Sequence, residues 1–219
     1  MSIFDTIASA LTPPETPDQR AQARRQAETL ARGPDDWLSL ALDHHRQIEQ
    51  LFEQARSGTD AAARQITSRE LATVLSAHAN AEESVLYPML AEDHKGHAAM
   101  AYQEQAMTKI ELHKLEMLDP MSQEWLDKLE HIRGAVLHHM YEEEGTWFPE
   151  LREVMGGSHD AMHAQRFREE FERFSGGGMQ QQAPLQMAAS MDEGSTMQSG
   201  SAQMQDGGRS GQTGGSIEY

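Results

Sequence analysis

Three pairs of ionisable residues repeat one spacing in this 219-residue chain. His45 precedes Glu49, His78 precedes Glu82, and His139 precedes Glu143, each by four positions. On a helix, residues i and i+4 share a face, with Cβ atoms about 5–6 Å apart. The second and third pairs also sit inside a duplicated segment. HANAEESVLYPML at 78–90 and HMYEEEGTWFPEL at 139–151 align His with His, Glu-Glu with Glu-Glu, and aromatic-Pro with aromatic-Pro. Imidazole and carboxylate together suit iron, manganese or zinc. The duplication reads as one metal-binding half-site used on two facing helices.

The elements that must position these groups are helices. Leu38, Leu42, His45, Glu49 and Phe52 follow at spacings of 4, 3, 4 and 3. Leu71, Leu75, His78, Glu82, Val85 and Met89 do the same, as do Trp125, Leu129, Ile132, Val136, His139 and Glu143. Each series is one stripe of a helix. Residues 98–118 are helical in composition, but their apolar residues surround the helix and fix no inward face. Short breaks at SGTD (57–60, with Thr59 or Asp60 as the next N-cap) and DPMS (119–122) make neighbouring helices antiparallel. The fold expected is all-α: an antiparallel up-down four-helix bundle over 34–156, with a further helix near 157–174. That helix takes Ser158 as its cap and Met162, Phe167, Phe171 and Phe174 as its apolar side. Residues 1–33 read as an N-terminal helical extension and linker: 2–11 amphipathic, TPPETP at 12–17 a break, and 18–31 polar and helical. Gly33-Pro34-Asp35 punctuates the chain before the bundle. Residues 175–219, rich in Gly, Gln, Met and Ser, bury too little apolar surface to order and read as a disordered tail.

The His/Glu pairs therefore lie in the seam of the bundle. Buried carboxylates placed together repel and resist desolvation, and a central cation removes both penalties. A bundle core can hold two ions bridged by a carboxylate. The remaining composition excludes other classes. There is no cysteine, so metal ligands must be His, carboxylate, Tyr or water. A net charge of −17 without a basic stripe argues against nucleic acid and against an anionic membrane. The opening residues lack the basic and apolar regions of a signal peptide, and no apolar run is long enough to span a bilayer, so a cytoplasmic location is expected.

DHHRQIEQLF at 43–52, HANAEESVLYP at 78–88 and HHMYEEEGTWFP at 138–149 together resemble the hemerythrin-like family, the HHE cation-binding domain. The resemblance covers about residues 35–155 and implies a four-helix bundle around non-haem iron, usually a di-iron centre. The roles it implies are binding or sensing of oxygen, peroxide or nitric oxide, or handling of iron. A peroxide-disproportionating enzyme is one alternative. Another is a non-catalytic stress or interaction protein, with a mononuclear or structural metal and a tail that recruits partners. Carried over, the ligands are His45, His78, the bridging Glu82, His139 and Glu143, with Glu144 as the alternative fourth-helix carboxylate. His44 and His138 fall to outer or surface positions, and Glu49 is a supporting or added ligand. The third helix departs from the family pattern. Counting back from LEMLDP (115–120), its usual His falls on Gln105. The substitute His113 is eight residues away, about 12 Å along a helix. Gln105 is therefore expected to face the site, leaving one metal position weak, open, or filled by water or the nearby Tyr102.

Overall fold

The computed structural model describes residues 14–155 and 159–177, and every regular element among them is helical. Helix α1 is Pro17–Leu30, α2 Trp37–Ser57, α3 Ala61–Val85, α4 Tyr87–Asp93, α5 Lys95–Glu116 and α6 Gln123–Glu142. A π-helical turn at Glu143–Trp147 joins α6 to α7 (Phe148–Met155), and α8 is Asp160–Gly177. The chain segments expected at 2–11, the Ser158 cap and the tail from residue 178 lie outside the described residues. The fold class is all-α, as the periodicity predicts.

Local chemistry sets the ends. Thr16 and Gln19 cap α1 reciprocally, each side chain accepting the other's backbone N–H at 3.3 and 2.8 Å. Asp60, the second of the two candidates, takes the Ala63 N–H at 2.9 Å. Ser122 takes that of Trp125 at 3.1 Å. Gly33 adopts φ 128°, a left-handed turn that side chains resist, and reverses the chain between α1 and α2. The stripe through Met89 is not one helix. Pro88 has no N–H for the Ser84 carbonyl, so α3 closes at Val85 and α4 restarts at Tyr87, with Leu86 between them. Pro149 likewise withholds a donor from Gly145, and the ladder widens there until the Phe148 N–H bonds the Glu143 carbonyl.

Helices α2, α3, α5 and α6 form the ring of the bundle: α2 packs on α3 and α6, and α5 packs on the same two. Helix α8 lies along α3 and α2, and α1 crosses α2, the π turn and α7. Within the segment expected as a helical extension and linker, α1 packs on the bundle. Of the apolar side expected on α8, Phe167 is fully buried and Phe171 partly, while Met162 and Phe174 are exposed. The helix also runs three residues into the segment assigned to the tail.

The core has two apolar layers. Trp37, Leu38, Leu42, Leu86, Trp147, Phe148 and Phe167 belong to one. Ile48, Phe52, Leu71, Leu75, Trp125, Leu129 and Ile132 belong to the other. On each ring helix the chemistry falls where one layer gives way to the other. His45 lies between Leu42 and Ile48, His78 between Leu75 and Ala81, Gln105 between Ala101 and Leu112, and His139 between Val136 and Trp147.

Candidate metal centre

Four helices supply this polar layer. His45, His78, Glu82 and Glu143 are buried, and one ligand atom from each lies within 4.8 Å of the others. His139 joins them, with Nε2 3.4 Å from Glu143 Oε1. Gln105 faces the same space: its Nε2 donates to Glu82 Oε2 at 2.6 Å and to Tyr87 Oη at 2.7 Å, and lies 3.5 Å from His139 Nε2. His113 does not. Its side chain is 76% exposed and meets only the end of Glu116, at 3.8 Å. Eight residues of helix carry it below the polar layer and out of it.

Around the cluster lies a supporting set. Glu144 accepts the His45 Nδ1–H at 2.7 Å, and Arg24 of α1 donates to that carboxylate through Nε and Nη2 at 3.0 and 2.7 Å. Arg24 also holds Glu49, at 2.9 and 3.1 Å. Glu49 therefore faces α1 rather than the cluster, because its stripe has turned toward that helix. Glu143 and Glu144, weighed as alternatives from the sequence, are both buried and do different work. The π turn carries both, so that neither turns out to solvent. Glu104 accepts the His139 Nδ1–H at 2.8 Å. Tyr87 donates to Glu143 at 2.7 Å and sits 3.1 Å from Glu82 and 3.2 Å from His139. The tyrosine in the centre is thus Tyr87. Tyr102 instead donates to the Glu83 carbonyl at 3.0 Å near the surface. Arg24, Glu104 and Tyr87 were not singled out by sequence reasoning. Tyr87 carried a signal in the duplicated aromatic-Pro, Arg24 none. His44 stacks on Phe171 with ring centres 3.8 Å apart, and His138 pairs with Glu15 at 3.0 Å, so both stand outside the cluster.

The charges are unevenly shared. Burial pushes the His45 imidazole down, but contacts with Glu143 and Glu144 outweigh it and lift its pKa to about 9. His139 rises for the same reason: burial opposes it, and Glu143 and Glu104 prevail. His78 falls well below the usual imidazole range through burial and then the positive charge of His45. Burial and the neighbouring Glu143 push Glu82 well up. Burial also opposes the Glu143 anion, yet His139 and His45 hold it well below the usual carboxylate range. Tyr87 is pushed well up by burial and the two carboxylates, so it keeps its proton and stays a donor.

The fit to a cation rests on buried donor atoms. His45 Nε2, both ring nitrogens of His78, Glu82 Oε1, Glu143 Oε2 and Gln105 Oε1 are buried without a well-aligned hydrogen bond, although His45 Nε2 stands 3.2 Å from Glu143 Oε2 and His78 Nε2 3.3 Å from Glu82 Oε1. A buried polar atom left with no partner at all costs about 1–3 kcal/mol. One donor atom each of His45, His78, Glu82 and Glu143 lies within 4.8 Å of the others, and Glu144 and Glu104 already take the outer nitrogens of His45 and His139. Metal-binding imidazoles are held in this way, with one nitrogen tied to a carboxylate and the other free to ligate. A cavity of about 20 Å³ opens beside His78, Gln105 and His139, walled by Ile48, Leu75, Thr108, Val136 and Met140.

The hemerythrin HHE cation-binding domain matches residues 38–151, just over half of the chain. The chain belongs to this family. The hemerythrin match spans the helices that carry His45, His78, Glu82, Gln105, His139 and Glu143, and leaves out α1 and α8. A DNA nickase of Nostoc sp. is 27% identical over 130 residues, which cover 59% of this chain and 37% of that protein. This chain therefore spans well under half of that relative's length. No solved structure matches it significantly. No helix among the described residues is long and apolar enough to cross a membrane.

Proposed function

We propose that the polar layer is a non-haem iron centre that binds a small ligand such as oxygen, peroxide or nitric oxide. His45, His78, Glu82, His139 and Glu143 would hold the metal, with Gln105 standing where a further imidazole would complete a second position. The observation that carries this reading is the convergence of buried imidazole and carboxylate donors from His45, His78, Glu82 and Glu143 within 4.8 Å. Bound iron would supply an electron-rich open position for a diatomic ligand or peroxide.

The chain's own residues would set what happens there. The cavity beside His78, Gln105 and His139 has room for about one water-sized molecule. Its mostly aliphatic wall favours a small, weakly polar ligand over a charged one. Tyr87 brings a buried hydroxyl within reach of His139, Glu143 and Gln105, so it would be a proton donor to a ligand held beside those residues. Arg24 and Glu144 fix the tautomer of His45, as Glu104 fixes that of His139. A net charge of −17 disfavours DNA as a substrate, so the activity named for the Nostoc relative is not carried over.

The test is metal content with spectroscopy. Protein from iron-supplemented cells should carry more than one iron per chain and show the near-ultraviolet band of a bridged ferric pair. Tyr87→Phe should keep the iron and slow ligand-dependent reoxidation. One iron per chain without that band would leave a mononuclear centre, and iron-free protein that also rejects added iron would end the proposal.

A further inference from the structure

A second group of donors lies near the end of the bundle, outside the polar layer. His94, His97 and Glu150 bring one ligand atom each within 4.8 Å of one another. His97 Nδ1 is 2.7 Å from Glu150 Oε2, and His94 Nδ1 is 3.5 Å from the same oxygen. The two imidazole planes are parallel within 3°, with centres 5.8 Å apart. We propose that His94, His97 and Glu150 form a second divalent-cation site, which takes zinc or ferrous iron from solvent.

The backbone builds this convergence. Helix α4 ends at Asp93, and His94 leaves helical geometry at φ −122°, ψ 54° before α5 begins at Lys95. His94 and His97 therefore stand three positions apart across a helix start. Glu150 comes from α7, which packs against α4. A carboxylate needs one imidazole for an ion pair, and the second at 3.5 Å is too long for a good hydrogen bond. Metal–nitrogen and metal–oxygen bonds near 2.0–2.2 Å place neighbouring donors about 3.0–3.4 Å apart. The two observed separations, 2.7 and 3.5 Å, bracket that range. Two imidazoles and one carboxylate leave positions open for water, a set that suits zinc or ferrous iron. The three side chains are 33%, 38% and 23% exposed, so an ion can reach them without opening the bundle.

This site shares no donor with the inner cluster. Between them stands the buried indole of Trp147, with its ring centre 6.3 Å from His97 and 5.4 Å from His139. The outer ion would therefore sit one aromatic ring away from the inner centre.

Equilibrium dialysis of the chelator-stripped full chain against zinc tests the assignment. Wild type should bind one ion more than His97→Ala or Glu150→Gln, or bind that ion at least about ten-fold more tightly, as expected when a ligand is lost. His78→Ala should retain the ion that His97→Ala loses, which separates this site from the inner cluster even if the inner cluster binds nothing. Both outer residues are partly exposed, and thermal unfolding by circular dichroism confirms that the variants fold. Isotherms of His97→Ala and Glu150→Gln that superimpose on wild type would overturn the proposal.

Discussion

Metal uptake by the inner cluster should release protons. In the metal-free cluster His45 titrates at about 9, His139 is raised as well, and Glu82 is raised well above its ordinary value of 4.5. His45 and His139 therefore carry protons near neutral pH, Glu82 holds its proton to higher pH than an ordinary carboxyl, and each proton must be lost before its group can ligate. For His45 alone, deprotonation at about pH 7 opposes binding by roughly two pH units, or about 2.7 kcal/mol at 1.36 kcal/mol per unit. Apparent affinity should then rise about ten-fold per pH unit for each proton displaced, up to the pH at which His45 is neutral. Calorimetry in buffers of different ionisation enthalpy counts these protons directly. More than one proton per chain should appear near neutral pH. Glu144→Gln removes the carboxylate on His45 Nδ1, lowers the pKa of that ring and should flatten the slope by about one proton. Binding without proton release, or an affinity flat from about pH 6 to 9, would refute the reasoning.

Other outcomes follow from the same geometry. Gln105→His should add an imidazole within reach of Glu82 and His139 and raise iron per chain, which metal analysis of the two proteins compares. Glu82→Gln should abolish tight iron binding yet raise the melting temperature of the metal-free protein. The sign follows from linkage: the folded pKa lies above the unfolded one, so this carboxyl destabilises the free fold above about pH 4.5. Relief of about 1 kcal/mol would appear as roughly 2–4 °C in a thermal scan at neutral pH, and no such gain should remain below pH 4. Phe167→Ala removes a fully buried ring of α8 that packs 5.5 Å from His44 and 6.4 Å from His78. It should cost about 3–5 kcal/mol in denaturant unfolding.

The sequence reveals the ring helices α2, α3 and α6 because their inward stripes hold a constant phase. His45, His78 and His139 each take the place of one apolar residue in such a stripe, so their convergence follows from periodicity alone. The position of Gln105 follows from the family resemblance, by counting back from LEMLDP to the position of the usual His. What stays hidden has physical causes. Helix α5 buries Glu104, Gln105 and Glu111 along with Ala98, Ala101, Leu112 and Leu115, so no continuous apolar stripe marks its inner face. Arg24 comes from a polar helix joined to the cluster only in space, across 120 residues of chain from Glu144. Glu49 has a ligand's spacing but turns toward that arginine. The choice between Glu143 and Glu144 assumes a continuous α-helix, and the backbone is not one there.

That widened stretch from Glu143 to Trp147 has a structural corollary. An α-helix sets consecutive side chains about 100° apart, so an unbroken helix could aim only one of two adjacent acids at the axis. The wider coil keeps both at work, one among the donors and one on the back of His45. It also sets the rotation at which everything downstream leaves the bundle, including Phe148 beneath His45 and Glu150 beside the paired surface imidazoles. Removing a single residue from the coil would swing both regions at once, so their spacing relative to each other is fixed by one irregularity in the hydrogen-bond ladder.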